Sequence, residues 1–96
     1  MDVAPDTLWL DVVTPEDLLV SEAVDEVTAE GVEGDFGVLP GHINFLAALR
    51  PGTLTYRIGE SAHRLELPGG IAEVLNNRVT ILASSRASTA TGAAGS

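Results

Sequence analysis

Apolar and polar residues alternate along most of this chain with the period of a β-strand. In Leu8 to Val13, Leu8, Leu10 and Val12 share one face, and Trp9, Asp11 and Val13 share the other. Thr14-Pro15-Glu16-Asp17 reads as a turn, with Pro15 fixing φ. Leu18 to Val20 and Ala23 to Ala29 are two further extended runs, divided at Ser21-Glu22. Ile43 to Arg50 fits neither period, its large apolar positions being 43, 45, 46 and 49. Pro51-Gly52 then imposes a turn. Beyond it the pattern is plain. Thr53 to Ile58 alternates, Gly59-Glu60-Ser61 turns, and Ala62 to Leu67 alternates again. Pro68-Gly69-Gly70 turns, Ile71 to Leu75 extends, Asn76-Asn77 turns, and Arg78 to Ala83 closes the series. Short strands separated by turn signals predict an all-β, antiparallel sandwich or barrel. No window of useful length has the apolar stripe of a helix.

Two stretches depart from this pattern. Gly31 to Gly41 places Gly31, Gly34, Gly37 and Gly41 with Pro40 among Val32, Phe36, Val38 and Leu39. Glycine at that density opposes a helix and allows tight turns with positive φ. The large apolar residues between the glycines argue against a flexible linker, so a stiff recognition loop is expected. Residues 84–96 hold no large apolar side chain. The expected organisation is a β-domain over residues 1–83 and a flexible Ala/Ser/Thr/Gly tail over 84–96.

Composition narrows the chemistry. The 96 residues suit one small domain. Fourteen Asp and Glu stand against five Arg and no Lys, for a formal net charge of -9. That balance opposes nucleic acid and an anionic membrane surface. The absence of Lys removes a P-loop, a Schiff-base lysine and a Ser-Lys dyad. The absence of Cys removes disulfides and thiolate sites. Hydrophobic residues make up 45% of the chain, outside the regime of disordered sequences. The acidic N-terminus is unlike a basic signal peptide, and the apolar run Phe45 to Leu49 is too short to span a bilayer. A cytosol-facing protein without direct membrane insertion is expected.

Candidate chemistry is sparse. There is no G-x-S-x-G, H-E-x-x-H or EF-hand loop. The glycines do not follow G-x-G-x-x-G, and Glu33 and Asp35 among them would repel phosphate. His42 and His63 are 21 positions apart, and a metal site would need both with carboxylates. His63 reads as an exposed strand histidine. His42 reads as a loop histidine bonded to nearby backbone, with a general-base role as the alternative. Glu16-Asp17, Glu22, Asp25-Glu26 and Glu30 read as a solvated acidic face. Trp9 fits an interface anchor and a core position equally well.

The run Val32-Glu33-Gly34-Asp35-Phe36-Gly37-Val38-Leu39-Pro40-Gly41-His42 resembles the ε subunit of F-type ATP synthases. The similarity continues through Leu10-Asp11-Val12-Val13-Thr14-Pro15, Val24-Asp25-Glu26-Val27, Ala48-Leu49-Arg50-Pro51-Gly52, Gly69-Gly70-Ile71-Ala72-Glu73-Val74 and Asn77-Arg78-Val79-Thr80-Ile81-Leu82-Ala83. It covers about Leu8 to Ala83 in one order.

The resemblance implies a flattened antiparallel β-sandwich of about ten short strands. It also implies a rotor subunit that joins the γ subunit of the central stalk to the c-ring, coupling proton or sodium flow to ATP synthesis or hydrolysis. Such a subunit is non-catalytic, takes no cofactor, forms no homo-oligomer and lies peripherally on the cytoplasmic face of the bacterial plasma membrane. By the resemblance, Asp35 and His42 face the c-ring on a loop shaped by Gly34, Gly37, Pro40 and Gly41. Trp9 is a candidate γ contact.

Two departures bear on the transfer. Ile43-Asn44-Phe45 stands where the family has Ala-Pro-Leu, so the loop exit is expected to pack differently. The family also continues into two C-terminal helices that inhibit hydrolysis and in some members bind ATP. Only ten small residues follow Arg86 here. Either the protein lacks the helices or the sequence stops short of them, so neither inhibition nor ATP binding is expected of this chain. The alternative functions are a free-standing small-ligand-binding β-domain and a small β-barrel enzyme. No pocket signature marks the first, and no nucleophile, base or metal set marks the second.

Overall fold

The computed structural model describes residues 7–42, 44–85 and 88–89. Among the described residues there are ten strands and no helix: β1 (Leu8–Val13), β2 (Leu18–Val24), β3 (Glu26–Gly31), β4 (Gly34–Val38), β5 (Phe45–Leu49), β6 (Gly52–Ile58), β7 (Ser61–Leu67), β8 (Gly70–Leu75), β9 (Arg78–Ala83) and β10 (Ser88–Thr89). Hydrogen bonds join them in the order β10-β7-β6-β3-β5-β8-β9-β1-β2, with β4 attached to β3. The sheet divides at β3. Its first half pairs with β6, and its last residue, Gly31, pairs with Leu49 of β5. The two halves fold face to face as a flattened sandwich.

The alternation of the sequence sets the two faces of each strand. Leu8, Leu10 and Val12 of β1 are fully buried with Ala72 and Val74 of β8 and Val79 and Ile81 of β9. From the other half, Val27, Ala29, Val38, Leu54, Tyr56 and Leu67 complete the same core. Fully burying a side chain of the Val, Leu or Ile class stabilises the fold by roughly 1.5–3 kcal/mol. Tyr56 lies in the core and stacks on His63, its cross-strand partner, with ring centroids 5.0 Å apart. Burial, with the nearby Glu22 carboxylate in support, raises the Tyr56 pKa above its ordinary value.

Most strands and turns fall where the alternation places them, and the differences have local causes. The pairing is not wholly antiparallel, because β1 lies parallel to β9. The break between the second and third strands is at Asp25, not at Ser21-Glu22. Val20 and Val24 both face inward on one continuous β2. Ser21 instead donates its hydroxyl to Asp11 Oδ1 across the pair (2.6 Å). At Asp25 the backbone N–H donates to the Arg57 carbonyl (2.8 Å), and its carboxylate accepts from the Gly59 N–H (2.6 Å).

Ile43 to Arg50 resolves into strand β5 from Phe45, with Ile43 itself outside the described residues. Within β5 the alternation is real, but its outward position 46 is also apolar. In the stretch expected as a tail, Ser88–Thr89 pair with Glu66 and Leu65 of β7. Residues 86–87 and 90–96 lie outside the described residues.

The register makes adjacent residues unequal. Ile81→Ala should lose about 2–5 kcal/mol in denaturant unfolding, as a core truncation. Leu82→Ala, one residue on and on the outer face, should stay within about 0.5 kcal/mol. For Tyr56, the folded phenol keeps its proton to higher pH than the unfolded one. Its stabilising contribution is full below about pH 10 and is lost as pH rises through the folded pKa. Alkaline melting curves should therefore fall less steeply for Tyr56→Phe.

Candidate functional site

The glycine-rich stretch is a β-hairpin followed by a tight turn, not a loop. Val32-Glu33 forms the hairpin tip, closed by the Gly31–Gly34 pair. A Cβ on Gly31 would lie 2.8 Å from the Gly34 carbonyl oxygen, closer than real contacts allow. Gly34 itself has φ +135°, a region that other residues rarely adopt. Gly37 has no positive φ, and a Cβ there would make ordinary contact at 3.5 Å with Thr28 Cγ2. Substitution at Gly37 is therefore free of the left-handed strain that substitution at Gly34 would meet.

Arg50 fastens this hairpin to β5. One guanidinium nitrogen donates to the Gly31 carbonyl (2.6 Å), and the other lies 2.9 Å from Asp35 Oδ1 and 3.3 Å from Glu30 Oε1. Two backbone bonds run beside it, Val32 N–H to the Ala48 carbonyl (2.9 Å) and Arg50 N–H to the Glu30 carbonyl (3.1 Å). Asp35 is thus an ion-paired residue on β4 whose side chain stays exposed.

At the other end of β4, Leu39-Pro40-Gly41-His42 turns back, with the His42 N–H donating to the Leu39 carbonyl (3.1 Å). Gly41, at φ +88°, donates its N–H to Asn77 Oδ1 (2.7 Å). Asn44 Oδ1 accepts from the Asn76 N–H (2.8 Å). This turn is therefore stitched to the β8–β9 turn, where Asn76 and Asn77 both have positive φ. Phe45, at the altered exit, meets Phe36 edge-on (5.2 Å) and His42 at a tilt (5.1 Å). Asp35 and His42 lie toward opposite ends of β4, with these rings between them.

A second surface escaped the reading of motifs. On the outer face of β5, β8, β9, β1 and β2, the cross-strand pairs form a row of Ala48, Ile71, Leu82, Val13 and Leu18. Ile71, Leu82 and Leu18 are 45%, 49% and 60% exposed. Leu46 and Leu75 flank the row on the same face and are exposed as well. Trp9 also lies on this face, half-buried, with its indole N–H donating to Asp11 Oδ1 (3.2 Å) and Arg78 5.9 Å over its ring. Contiguous exposed apolar side chains make this face a candidate contact surface. The signal lay in the outward positions of strands already read as alternating, where apolar residues replace polar ones.

A shallow groove of about 300 Å³ lies at the hairpin tip between Val32, Phe36 and Leu46, open to solvent. Among the described residues, no buried side-chain polar atom lacks a partner, and no group of three or more metal-ligating side chains converges. No helix among them is long and apolar enough to cross a membrane.

Residues 7–89 match the family described as ATP synthase, Delta/Epsilon chain, beta-sandwich domain. The chain belongs to this family. It is 52% identical over 79 residues to the ATP synthase epsilon chain of Nitratidesulfovibrio vulgaris strain Miyazaki F, covering 82% of this chain and 59% of the relative. It is 55% identical over 74 residues to that of Syntrophobacter fumaroxidans, covering 77% and 55%. The chain thus spans little more than half the length of these epsilon-chain relatives. Among solved structures, a chain of the Euglena gracilis mitochondrial ATP synthase (OSCP/F1/c-ring) superposes with a TM-score of 0.87 at 27% identity, covering 94% of this chain and 57% of that one. A chain of the Tetrahymena thermophila mitochondrial ATP synthase central stalk/c-ring shares the fold at 19% identity and a TM-score of 0.71, covering 81% and 63%.

If Arg50 holds the hairpin, Arg50→Ala should speed hydrogen exchange at the Val32 amide about tenfold or more while leaving Ile81 protected, since local opening need not involve the core. Arg50→Lys should restore only part of the protection, because an ammonium lacks the planar fork that reaches several acceptors at once.

Proposed function

We propose that this chain is the rotor-docking domain of an F-type ATP synthase ε subunit. It joins the γ subunit to the c-ring, helps couple ion flow to ATP synthesis or hydrolysis, and performs no catalysis itself. It lies peripherally, on the cytoplasmic side of the bacterial membrane that carries the complex. The observation that carries this reading is the apolar row Ala48, Ile71, Leu82, Val13 and Leu18 on the outer face of a small domain whose core is already filled. Burying such a row against a protein partner gains roughly 25 cal/mol per Å² of apolar surface before the costs of association. The γ subunit is the partner assigned to it, with Trp9 at its edge.

The c-ring is assigned to the β3–β4 hairpin and the turn that follows. Pro40, Gly41 and His42 form that turn, and Gly34 and Gly37 shape the strand leading to it. Asp35 contributes through its pairing with Arg50, which sets the tip, and through the carboxylate surface left exposed. The names of the epsilon-chain relatives and the high structural similarity to a chain of the Euglena complex support the assignment.

The two surfaces should separate genetically. Leu82→Asp should reduce γ binding in a pull-down by at least about tenfold while the isolated domain melts within a few degrees of the parent. The double variant Asp35→Ala/His42→Ala should retain γ binding and weaken attachment to the c-ring in the assembled complex. Loss of γ binding by the double variant, with Leu82→Asp unaffected, would reverse the assignment.

A further inference from the structure

The acidic residues of this chain have unequal fates. Asp11 is engaged by Trp9, Ser21 and Arg78, at 3.2, 2.6 and 3.4 Å. Asp25 and Glu26 flank Arg57, and Glu30 and Asp35 flank Arg50. Glu66 accepts the Thr53 hydroxyl (2.6 Å). Six others, Glu16, Asp17, Glu22, Glu33, Glu60 and Glu73, are exposed and make no side-chain hydrogen bond or ion pair with any described residue, and of these six the one on the outer face of β8 is Glu73.

Its position gives that isolation meaning. Glu73 lies on the outer face of β8 between Ile71 and Leu75, two residues away on either side. Its cross-strand partners are Leu46 and Thr80. Three of these four neighbours are exposed apolar side chains. Arg78 shares the face but turns toward β1, where Asp11 and the Trp9 ring hold it. Any partner that covers the apolar row must also cover this carboxylate. A carboxylate taken out of water without a donor is costly, and a desolvated charge is tolerated only when it is paired.

We infer that Glu73 is the charge-reading residue of this face and receives an Arg or Lys side chain of the γ subunit. The inference rests on the assignment of the face to γ and goes beyond it. The apolar row supplies contact area, and the carboxylate beside it, unpaired among the described residues, selects orientation and partner. A protein that matched the apolar row but presented a carboxylate or an apolar residue opposite Glu73 would be rejected.

The test measures the affinity of the 96-residue chain for the γ subunit of the same enzyme by calorimetry, with the parent, Glu73→Gln, Glu73→Arg and Leu82→Asp. Glu73 is exposed and makes no hydrogen bond or ion pair with any described residue, so the melting temperatures of its variants should match the parent and serve as the folding control. The expected result is a loss of tenfold or more for Glu73→Gln, which is 1.4 kcal/mol. A loss of a hundredfold or more is expected for Glu73→Arg, with loss of measurable binding for Leu82→Asp. Parent-like binding by Glu73→Gln, with Leu82→Asp defective, would overturn the role of Glu73 and leave the face assigned to γ, whatever Glu73→Arg does. Parent-like binding by Leu82→Asp would overturn both.

Discussion

The parallel pairing of β1 with β9 is the constraint on which the rest depends. It brings the start of the described chain beside its last long strand and sets Leu10 against Val79 and Val12 against Ile81. These four side chains are fully buried. The same register places Val13 beside Leu82 and Asp11 beside Thr80 on the opposite face. A shift of one residue would exchange the two faces, emptying the core and scattering the outer apolar row together. Core and outer apolar face are therefore two sides of one register, and whatever keeps the sandwich packed also keeps the outer row aligned.

Charge acts on top of that frame as an organiser. Arg50, Arg57 and Arg78 each engage at least one carboxylate close to a turn or strand end, and each side chain remains 42–48% exposed. Ion pairs this open contribute little to global stability. Their effect is geometric. Arg50 fixes the hairpin, Arg57 ties the β2–β3 break to the β6–β7 turn, and Arg78 joins β9 to β1 beside Trp9. With three of the four described arginines committed to carboxylates and a net charge of -9, the remaining charge is mostly negative, and a partner contact that uses it supplies the opposite sign.

The strands and tight turns were legible because they depend on local alternation and on Gly, Pro and Asn. Asn76-Asn77, read as a turn, holds two consecutive residues at positive φ. Features set by distant residues were not legible. The break at Asp25 depends on Arg57 and Gly59, more than thirty positions away. The clamp at Arg50 depends on a hairpin that brings Gly31 and Asp35 to it. β5 resisted assignment because Leu46, an outward position, is apolar as the outer face is. The Gly31 to His42 stretch, expected as a loop, folds as a hairpin and a turn, because β4 pairs back on β3. The outer apolar face appeared only when residues from β5, β8, β9, β1 and β2 were brought into register. No motif marks it, because its members are spread from Val13 to Leu82.

The most direct test of two surfaces on one register is oxidative footprinting of the side chains, in the free chain, with γ, and with γ plus the c-ring. Ile71, Leu75, Leu82 and Trp9 should lose reactivity when γ binds, whereas Val32 and Leu39 should lose it only when the c-ring is added. Unchanged reactivity of Ile71 and Leu82 in the γ complex, with protection at Val32 and Leu39 instead, would contradict this assignment.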